Sequence, residues 1–255
     1  MDFSLLAPPA PTLFWLLPLA FVIGLLKSPW VKGYLGELLV RLFAHWQLDK
    51  QTYRRLHNVT LPTLDGTTQI DHVFLSRYGI FVVETKNLSG WIFGSERQAQ
   101  WTQKLYRHTF KFQNPLRQNY KHLKALEAAL GINPEHLHSV ITFVGGSTFK
   151  TKMPANVIQG VGFIRYIKSF QQAVFKEAEV DAMLQALQNG RRAPTLATHR
   201  EHVQNLKRRS DPTVDRQCPK CGSALLIRTV KSGPKAGLQF WGCSGFPKCR
   251  TMQSL

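Results

Sequence analysis

The chain has 255 residues, with 33 Lys+Arg against 15 Asp+Glu, a formal charge of +18 and a sequence pI near 10.1. At 44% hydrophobic and 19% charged residues it is excluded from the disordered polymers, and four cysteines in this length exclude a disulfide scaffold. Such a charge argues against cationic ligands and for polyanions, either nucleic acid or an anionic membrane face.

From Phe3 to Leu26 there are 24 uncharged residues, and a membrane-spanning helix needs about 20 apolar ones. A cleaved signal peptide would begin with basic residues, whereas the charge here is Asp2. Lys27, Lys32, Arg41, Lys50, Arg54 and Arg55 follow. The positive-inside rule therefore predicts a single-pass transmembrane anchor over residues 1–30, with the C-terminal bulk in the cytoplasm. The competing reading is a buried or interfacial segment.

Beyond it, Leu35, Leu38, Leu39, Leu42, Phe43 and Trp46 recur at helical spacing and predict an amphipathic helix from Val31 to Trp46. Two strands follow, Gln69–Leu75 and Ile80–Lys86, around a turn at Ser76–Gly79. Residues 87–113 are further strand and loop. Asn114 followed by Pro115 is a helix start, and that helix runs to Leu130, where Gly131 stops it. Ser139–Val144 is a short buried strand, Val157–Ile167 another strand, and Gln171–Gln188 a helix. The order predicts an α/β class with a mixed sheet flanked by helices. Residues 31–190 form the main domain, 191–215 a basic linker and 216–255 a separate tail. Residues 200–255 alone carry 11 Lys+Arg and 3 acids, the densest positive charge in the chain.

The tail holds all four cysteines as two close pairs, Cys218 with Cys221 and Cys243 with Cys249. Two short-spaced thiolate pairs supply a tetrahedral structural Zn²⁺, with no ligand position left open for catalysis. The segment Cys-Pro-Lys-Cys-Gly-Ser-Ala-Leu-Leu-Ile-Arg, followed by Phe-Trp-Gly-Cys-Ser-Gly-Phe-Pro-Lys-Cys-Arg, resembles the zinc ribbon repeated at the C-terminus of bacterial type I topoisomerases. The resemblance covers residues 216–252 and implies binding of single-stranded DNA. Phe240, Trp241 and Phe246, interleaved with Arg228, Lys231, Lys235, Lys248 and Arg250, would supply stacking and charge. The aromatic residues have a second use, packing around the zinc knuckles.

A second constellation lies in the hairpin Gln69-Ile-Asp-His-Val-Phe-Leu-Ser-Arg-Tyr-Gly-Ile-Phe-Val-Val-Glu-Thr-Lys86. Opposed residues of an antiparallel pair have a constant index sum, and a turn centred between Arg77 and Tyr78 sets Asp71 opposite Glu84. Their Cβ atoms would then stand about 4.5–5.5 Å apart, and Lys86 returns to the face of Glu84. Opposed like charges destabilise a strand pair unless a cation is shared. Mg²⁺ is held by one or two carboxylates plus waters and substrate phosphates, and such an ion supports phosphodiester hydrolysis. The competing reading is that Asp71 and Glu84 bond nearby backbone or Lys86 as structural groups. His72 points away from Asp71's face, and His108, His122, His136 and His138 form no ligand spacing.

The acid, the Glu-x-Lys element and their flanks resemble the PD-(D/E)xK nucleases, and within them the nuclease-related domain, NERD. The supporting residues are Lys32-Gly-Tyr-Leu-Gly-Glu37, Gln69-Ile-Asp71-His, Gly79-Ile-Phe-Val-Val-Glu84-Thr-Lys86, Gly90-Trp91 and Asn114-Pro-Leu-Arg-Gln118. The match covers residues 31–148, and Ile70 stands where the superfamily often has Pro. It implies a restriction-endonuclease-like α-β-β-β-α-β core and a catalytic set of Asp71, Glu84 and Lys86. Glu37 resembles the extra acid of many such enzymes, and Gln118 their helix-borne polar residue near the scissile phosphate. The expectation is a membrane-anchored nuclease that uses Mg²⁺ or Mn²⁺ to hydrolyse DNA, RNA being the other polymer it would suit, with a DNA-binding zinc ribbon. The alternatives are a non-catalytic membrane-tethered nucleic-acid binder, and a basic surface that meets anionic lipid.

Overall fold

The structure, a computed structural model, describes residues 28–63, 66–193, 216–218, 220–230, 232–233 and 236–254, together with 18, 20–22, 24, 195, 197–198, 200 and 203–204. Among the described residues no helix is long and apolar enough to cross a membrane. This overturns the transmembrane anchor and the single-pass placement expected with it. Most of the apolar run Phe3–Leu26, and most of the basic linker, lie outside the described residues. The helix Pro29–Gln47 is capped by Ser28, whose hydroxyl accepts from Val31 N at 3.3 Å, with Pro29 in its first turn. That helix carries Lys32, Glu37 and Arg41, charges that a lipid-facing segment would not hold.

The chain packs as two compact units, one of Met1–His57 with Ile70–Ala186, the other of Asn58–Gln69 with Leu187–Leu255. The first contains helix α1 (Pro29–Gln47) and strands β3 (Gly79–Lys86), β4 (Gly90–Phe93), β5 (Gln100–Leu105) and β6 (His108–Gln113). Helix α2 (Pro115–Leu130), β7 (Leu137–Phe143), β8 (Ser147–Phe149), β9 (Val157–Gln159) and helix α3 (Gly162–Lys168) follow in the same unit, then most of α4 (Glu177–Gly190). Strands β1 (Arg54–Thr63) and β2 (Gly66–Ser76) run from one unit into the other.

The main sheet has the order β1-β2-β3-β7-β9, with β2 and β3 antiparallel and β3, β7 and β9 parallel. The result is the mixed α/β sheet that the element order predicts. A second sheet, β6-β5-β4-β8, grows from the chain that leaves β3 and β7. Strand β3 is buried along Gly79–Glu84, as a strand flanked on both sides by other strands and covered on its faces must be. On one face α1 and α3 cover Phe74, Phe81, Val83 and Val140, and on the other α2 packs against β3 and β7.

The helix expected from Gln171 begins at Glu177, strand β1 adds to the predicted strands, and two departures are larger. The apolar stretch expected as strand Val157–Ile167 is a three-residue strand and then helix α3. Gly160 turns the chain at φ +57, after which Phe163, Ile164 and Ile167 bury themselves at helical spacing. Helix α1 buries the small stripe Gly36, Val40 and Ala44, while Leu35, Leu39, Leu42 and Trp46 of the predicted apolar face stay exposed. Gly36 explains the choice. A Cβ there would lie 2.8 Å from Asn87 Cβ and 3.2 Å from Val144 Cγ2, so only glycine lets α1 approach the ends of β3 and β7 this closely.

The second unit contains the four-stranded ribbon β10 (Arg216–Gln217), β11 (Ala224–Thr229), β12 (Gln239–Cys243) and β13 (Met252–Ser254). All its neighbouring strands are antiparallel, and its core is Leu225, Trp241 and three of the cysteines.

Candidate functional site

The β2–β3 hairpin turns at Arg77–Tyr78, with Ser76 opposite Gly79 and His72 opposite Val83. This is the constant-sum register read from the sequence, and one further step along it sets Asp71 against Glu84. At that step the backbone ladder gives way to a side chain: Thr85 N donates to Asp71 Oδ2 at 2.8 Å. Period-2 alternation then sends Glu84 and Lys86 to one face, where Lys86 Nζ donates to Glu84 Oε1 at 2.6 Å.

Helix α2 closes the site from above. Asn114 caps it, its side-chain Oδ1 accepting from Leu116 N at 2.9 Å while its Nδ2 donates to the Ser95, Glu96 and Gln98 carbonyls. One turn later Gln118 Oε1 accepts from Lys86 Nζ at 2.9 Å. A further turn brings His122 Nε2 to 3.2 Å from Glu84 Oε2. Between them the buried Asn119 amide donates to Val82 O at 2.8 Å and Ser139 Oγ at 2.9 Å, which locks the helix to β3 and β7. Asp71, Glu84, Lys86 and Gln118 therefore come together. His122 joins them although spacing among the histidines gave no sign of it. Its signal was present elsewhere: residues 118 and 122 are four apart and so share a helix face.

Glu37 reaches this neighbourhood from α1, one residue after the Gly36 close approach, and is paired with Arg41 at 3.3 Å. The helix is held there by Asn87, at the end of β3, whose amide donates to Lys32 O at 2.6 Å.

The charges respond to one another in opposite ways. Burial pushes the Asp71 carboxyl well above the usual range, and the nearby charges of Glu84 and Glu37 push it the same way. Glu84, only 2% exposed, is pushed up by burial too, yet Lys86 and His122 outweigh this and hold it below the usual range. Glu37 is raised, mainly by burial, with Arg41 opposing and Glu84 reinforcing. Asp71, Glu84 and Glu37 are the hard oxygen donors that would hold an Mg²⁺ or Mn²⁺ ion were one bound here. Both Glu84 oxygens already accept a hydrogen bond, but each keeps a second lone pair for a cation.

The cysteines make a different kind of site. Among the described residues they are the one group of three or more His, Cys, Asp or Glu whose ligand atoms all lie within 4.8 Å of one another. Cys218 and Cys249 Sγ are 3.6 Å apart, Cys221 and Cys243 Sγ 3.4 Å. Tetrahedral Zn–S bonds of about 2.3 Å set sulfurs about 3.8 Å apart, so the donor set fits zinc. Gly245 N donates to Cys243 Sγ at 3.3 Å, the outer support a thiolate ligand requires.

Of the ribbon's expected nucleic-acid contacts, Trp241 takes the second use named for these aromatics, packing. It is buried in the ribbon core, opposite Ile227 on β11, because so small a fold has few other large residues to fill it. Phe246 is exposed, with the Arg228 guanidinium 5.9 Å from its ring centre. Phe240 is half-buried, while Arg228, Lys248 and Arg250 are exposed. Lys231 and Lys235 lie outside the described residues.

An acid and a Glu-x-Lys element on adjoining strands of an α/β sheet, attended by a helix, define a nuclease-like domain, and a four-cysteine ribbon accompanies it. Comparison with known families agrees segment by segment. Residues 32–144 match the nuclease-related domain, NERD, and residues 215–255 match the topoisomerase DNA-binding C4 zinc finger. An uncharacterized protein of Bacillus anthracis is 51% identical over 113 residues, which is 44% of this chain and 52% of that protein. The chain thus spans about half the length of this curated relative. No solved structure matches the chain.

Proposed function

We propose that the chain is a divalent-metal-dependent nuclease that hydrolyses phosphodiester bonds of DNA, with its zinc ribbon holding the nucleic acid. The observation that carries this reading is the convergence of Asp71, Glu84 and Lys86 from adjoining strands under Gln118 and His122 of α2. In this reading Asp71 and Glu84 hold the cation, with Glu37 as a nearby third acid. When bound, Mg²⁺ or Mn²⁺ lowers the pKa of a coordinated water and stabilises the charge that develops on the phosphoryl oxygens.

The remaining work belongs to the chain's own side chains. Lys86 has three N–H donors, of which Glu84 and Gln118 take two. The third is available to a phosphate oxygen or to the attacking water, and the two fixed bonds aim it. His122 and Lys86 grip one oxygen each of Glu84, which fixes its rotamer and keeps it ionised. Gln118, set one turn after the Asn114 cap, orients the lysine and brings its own amide N–H to the same place.

The test incubates the purified full chain, zinc-loaded, with Mg²⁺ or Mn²⁺ and single- or double-stranded DNA or RNA. Cleavage of DNA is expected, with Asp71→Ala, Glu84→Ala and Lys86→Ala each losing at least a hundredfold. Cleavage that persists undiminished in Asp71→Ala and Glu84→Ala would sink the assignment. A non-catalytic nucleic-acid binder would show salt-sensitive binding with no cleavage by any form.

A further inference from the structure

The second sheet has a face that neither the hairpin site nor the ribbon uses. Ile92 and Trp101 point inward to a core with Ile141 and Phe143. Strand pairing then fixes the opposite face. Trp91 stands opposite Lys104, Phe93 opposite Thr102, Thr102 opposite Lys111, and on the parallel side Trp91 lies beside Thr148. Paired residues share a face, so Trp91, Phe93, Lys104 and Lys111 project together.

Trp91 is 47% exposed, which leaves part of the indole open to a stacking partner. Lys150 Nζ lies 4.6 Å and Lys104 Nζ 5.9 Å from its ring centre. Beside it Phe93, Lys111 and Lys152 line an open cleft floored by Thr102, Gln100 and Thr151. Residues 90–113 and 145–153, which build this sheet and its edge, contain six Lys+Arg and one acid, Glu96. The sheet also starts four residues after Lys86, and β6 leads directly into the Asn114 cap.

We propose that this face binds single-stranded nucleic acid, one unpaired base stacking on Trp91 while the lysines around it meet the flanking phosphates. An exposed aromatic with mobile cations over its ring that a base can displace toward the phosphates, on a sheet with hydroxyl and amide neighbours, is what a single strand needs and a duplex does not. A duplex hides the base faces that Trp91 would stack upon, and it would engage the lysines alone. The choice of polyanion rests on the nuclease reading above; the surface lies beyond that site and delivers the strand to it.

The test uses the full chain, zinc-loaded and without other divalent ions, titrated into a fluorescein-labelled oligo(dT) and a labelled duplex. Trp91→Ala is expected to weaken oligo(dT) binding about tenfold, Trp91→Phe to restore most of it, and neither to change duplex binding by more than twofold. Lys150→Glu, a surface change that leaves the sheet core alone, is expected to weaken both and to flatten the salt dependence. An oligonucleotide bearing 5-iodouracil should photo-cross-link to the peptide that contains Trp91. Oligo(dT) affinities within twofold of wild type for both Trp91→Ala and Lys150→Glu, or cross-links confined to residues 216–255, would overturn the proposal. Weakened binding in Trp91→Ala without cleavage by any form keeps this surface and removes the nuclease reading. Cleavage by wild type with oligo(dT) binding unchanged in both Trp91→Ala and Lys150→Glu does the reverse.

Discussion

Replacing Asp71 by Asn separates a metal-binding carboxylate from a structural one. The Thr85 N–H that Asp71 Oδ2 accepts at 2.8 Å finds an equivalent acceptor in the Asn carbonyl, so the strand pairing survives. What changes is a negative charge set against Glu84. Two unit charges about 5 Å apart repel by about 3 kcal/mol at an effective dielectric constant of about 20. Lys86, which the same field attracts, offsets part of this. A gain of about 1–2 kcal/mol for Asp71→Asn is therefore expected when no Mg²⁺ or Mn²⁺ is present, raising Tm by roughly 2–8 °C. The sign follows from linkage. Asp71 keeps its proton in the folded chain to a higher pH than in the unfolded one, so wild-type stability falls as pH rises through that interval and stays lower above it. The substitution removes the fall. Saturating Mn²⁺ should reverse the order, because an ion at about 100 times its Kd stabilises wild type by about 2.7 kcal/mol and the variant hardly at all. The assay is thermal unfolding of both forms at neutral pH with zinc held constant. Loss of more than 1 kcal/mol in ion-free Asp71→Asn, or equal stabilisation of both forms by Mn²⁺, would refute the reasoning.

Three further outcomes follow from single contacts. His122→Ala leaves Glu84 Oε2 buried without its partner, at a cost of about 1–3 kcal/mol, and should lower the cleavage rate more than tenfold while zinc content stays unchanged. Gly36→Ala forces a Cβ to 2.8 Å from Asn87 Cβ, so α1 must shift; a loss of about 1–3 kcal/mol is expected by denaturant unfolding, with cleavage falling as Glu37 moves. Cys243→Ser, or zinc removal by a chelator, should unfold the ribbon and weaken DNA binding severalfold, read as loss of bound zinc by elemental analysis and loss of affinity by anisotropy.

The hairpin was legible because its information is local. A Ser-Arg-Tyr-Gly turn sets the register, the register sets which residues face each other, and period 2 returns Lys86 to Glu84. The α2 cap was legible for the same reason, since Asn114, Pro115 and Gly131 act on their own neighbours. His122 was not, because its role depends on which face of α2 meets β3, and Asn119 fixes that through bonds to Val82 and Ser139. The buried stripe of α1 is not legible from side-chain size, because a close helix approach selects the smallest residue, Gly36. Trp241 follows the same logic in reverse: a ribbon with little apolar content needs its largest side chain inside. The transmembrane expectation rests on counting uncharged residues, which measures apolarity alone; among the described residues no helix is long and apolar enough to cross a membrane.

The two central carboxylates are not equivalent, and their difference predicts how the site responds to pH. Glu84 is held ionised by Lys86 and His122, so it presents a charge across the neutral range with no cation bound. Asp71 has one backbone donor, lies among acids, and retains a proton above the ordinary carboxylate range. A divalent ion must displace that proton to use both groups. Mn²⁺ affinity should therefore rise with pH by up to tenfold per unit while Asp71 is protonated, then level off once it is ionised. Calorimetric titration in buffers of different ionisation enthalpy should count about one proton released per ion at the low end and none on the plateau. Glu84→Gln should weaken binding at every pH without removing the slope, whereas Asp71→Asn should leave weak binding that no longer changes with pH. Affinity that is flat with pH in the wild type, or a slope that survives Asp71→Asn, would mean that the titrating group lies elsewhere and that Asp71 does not meet the ion.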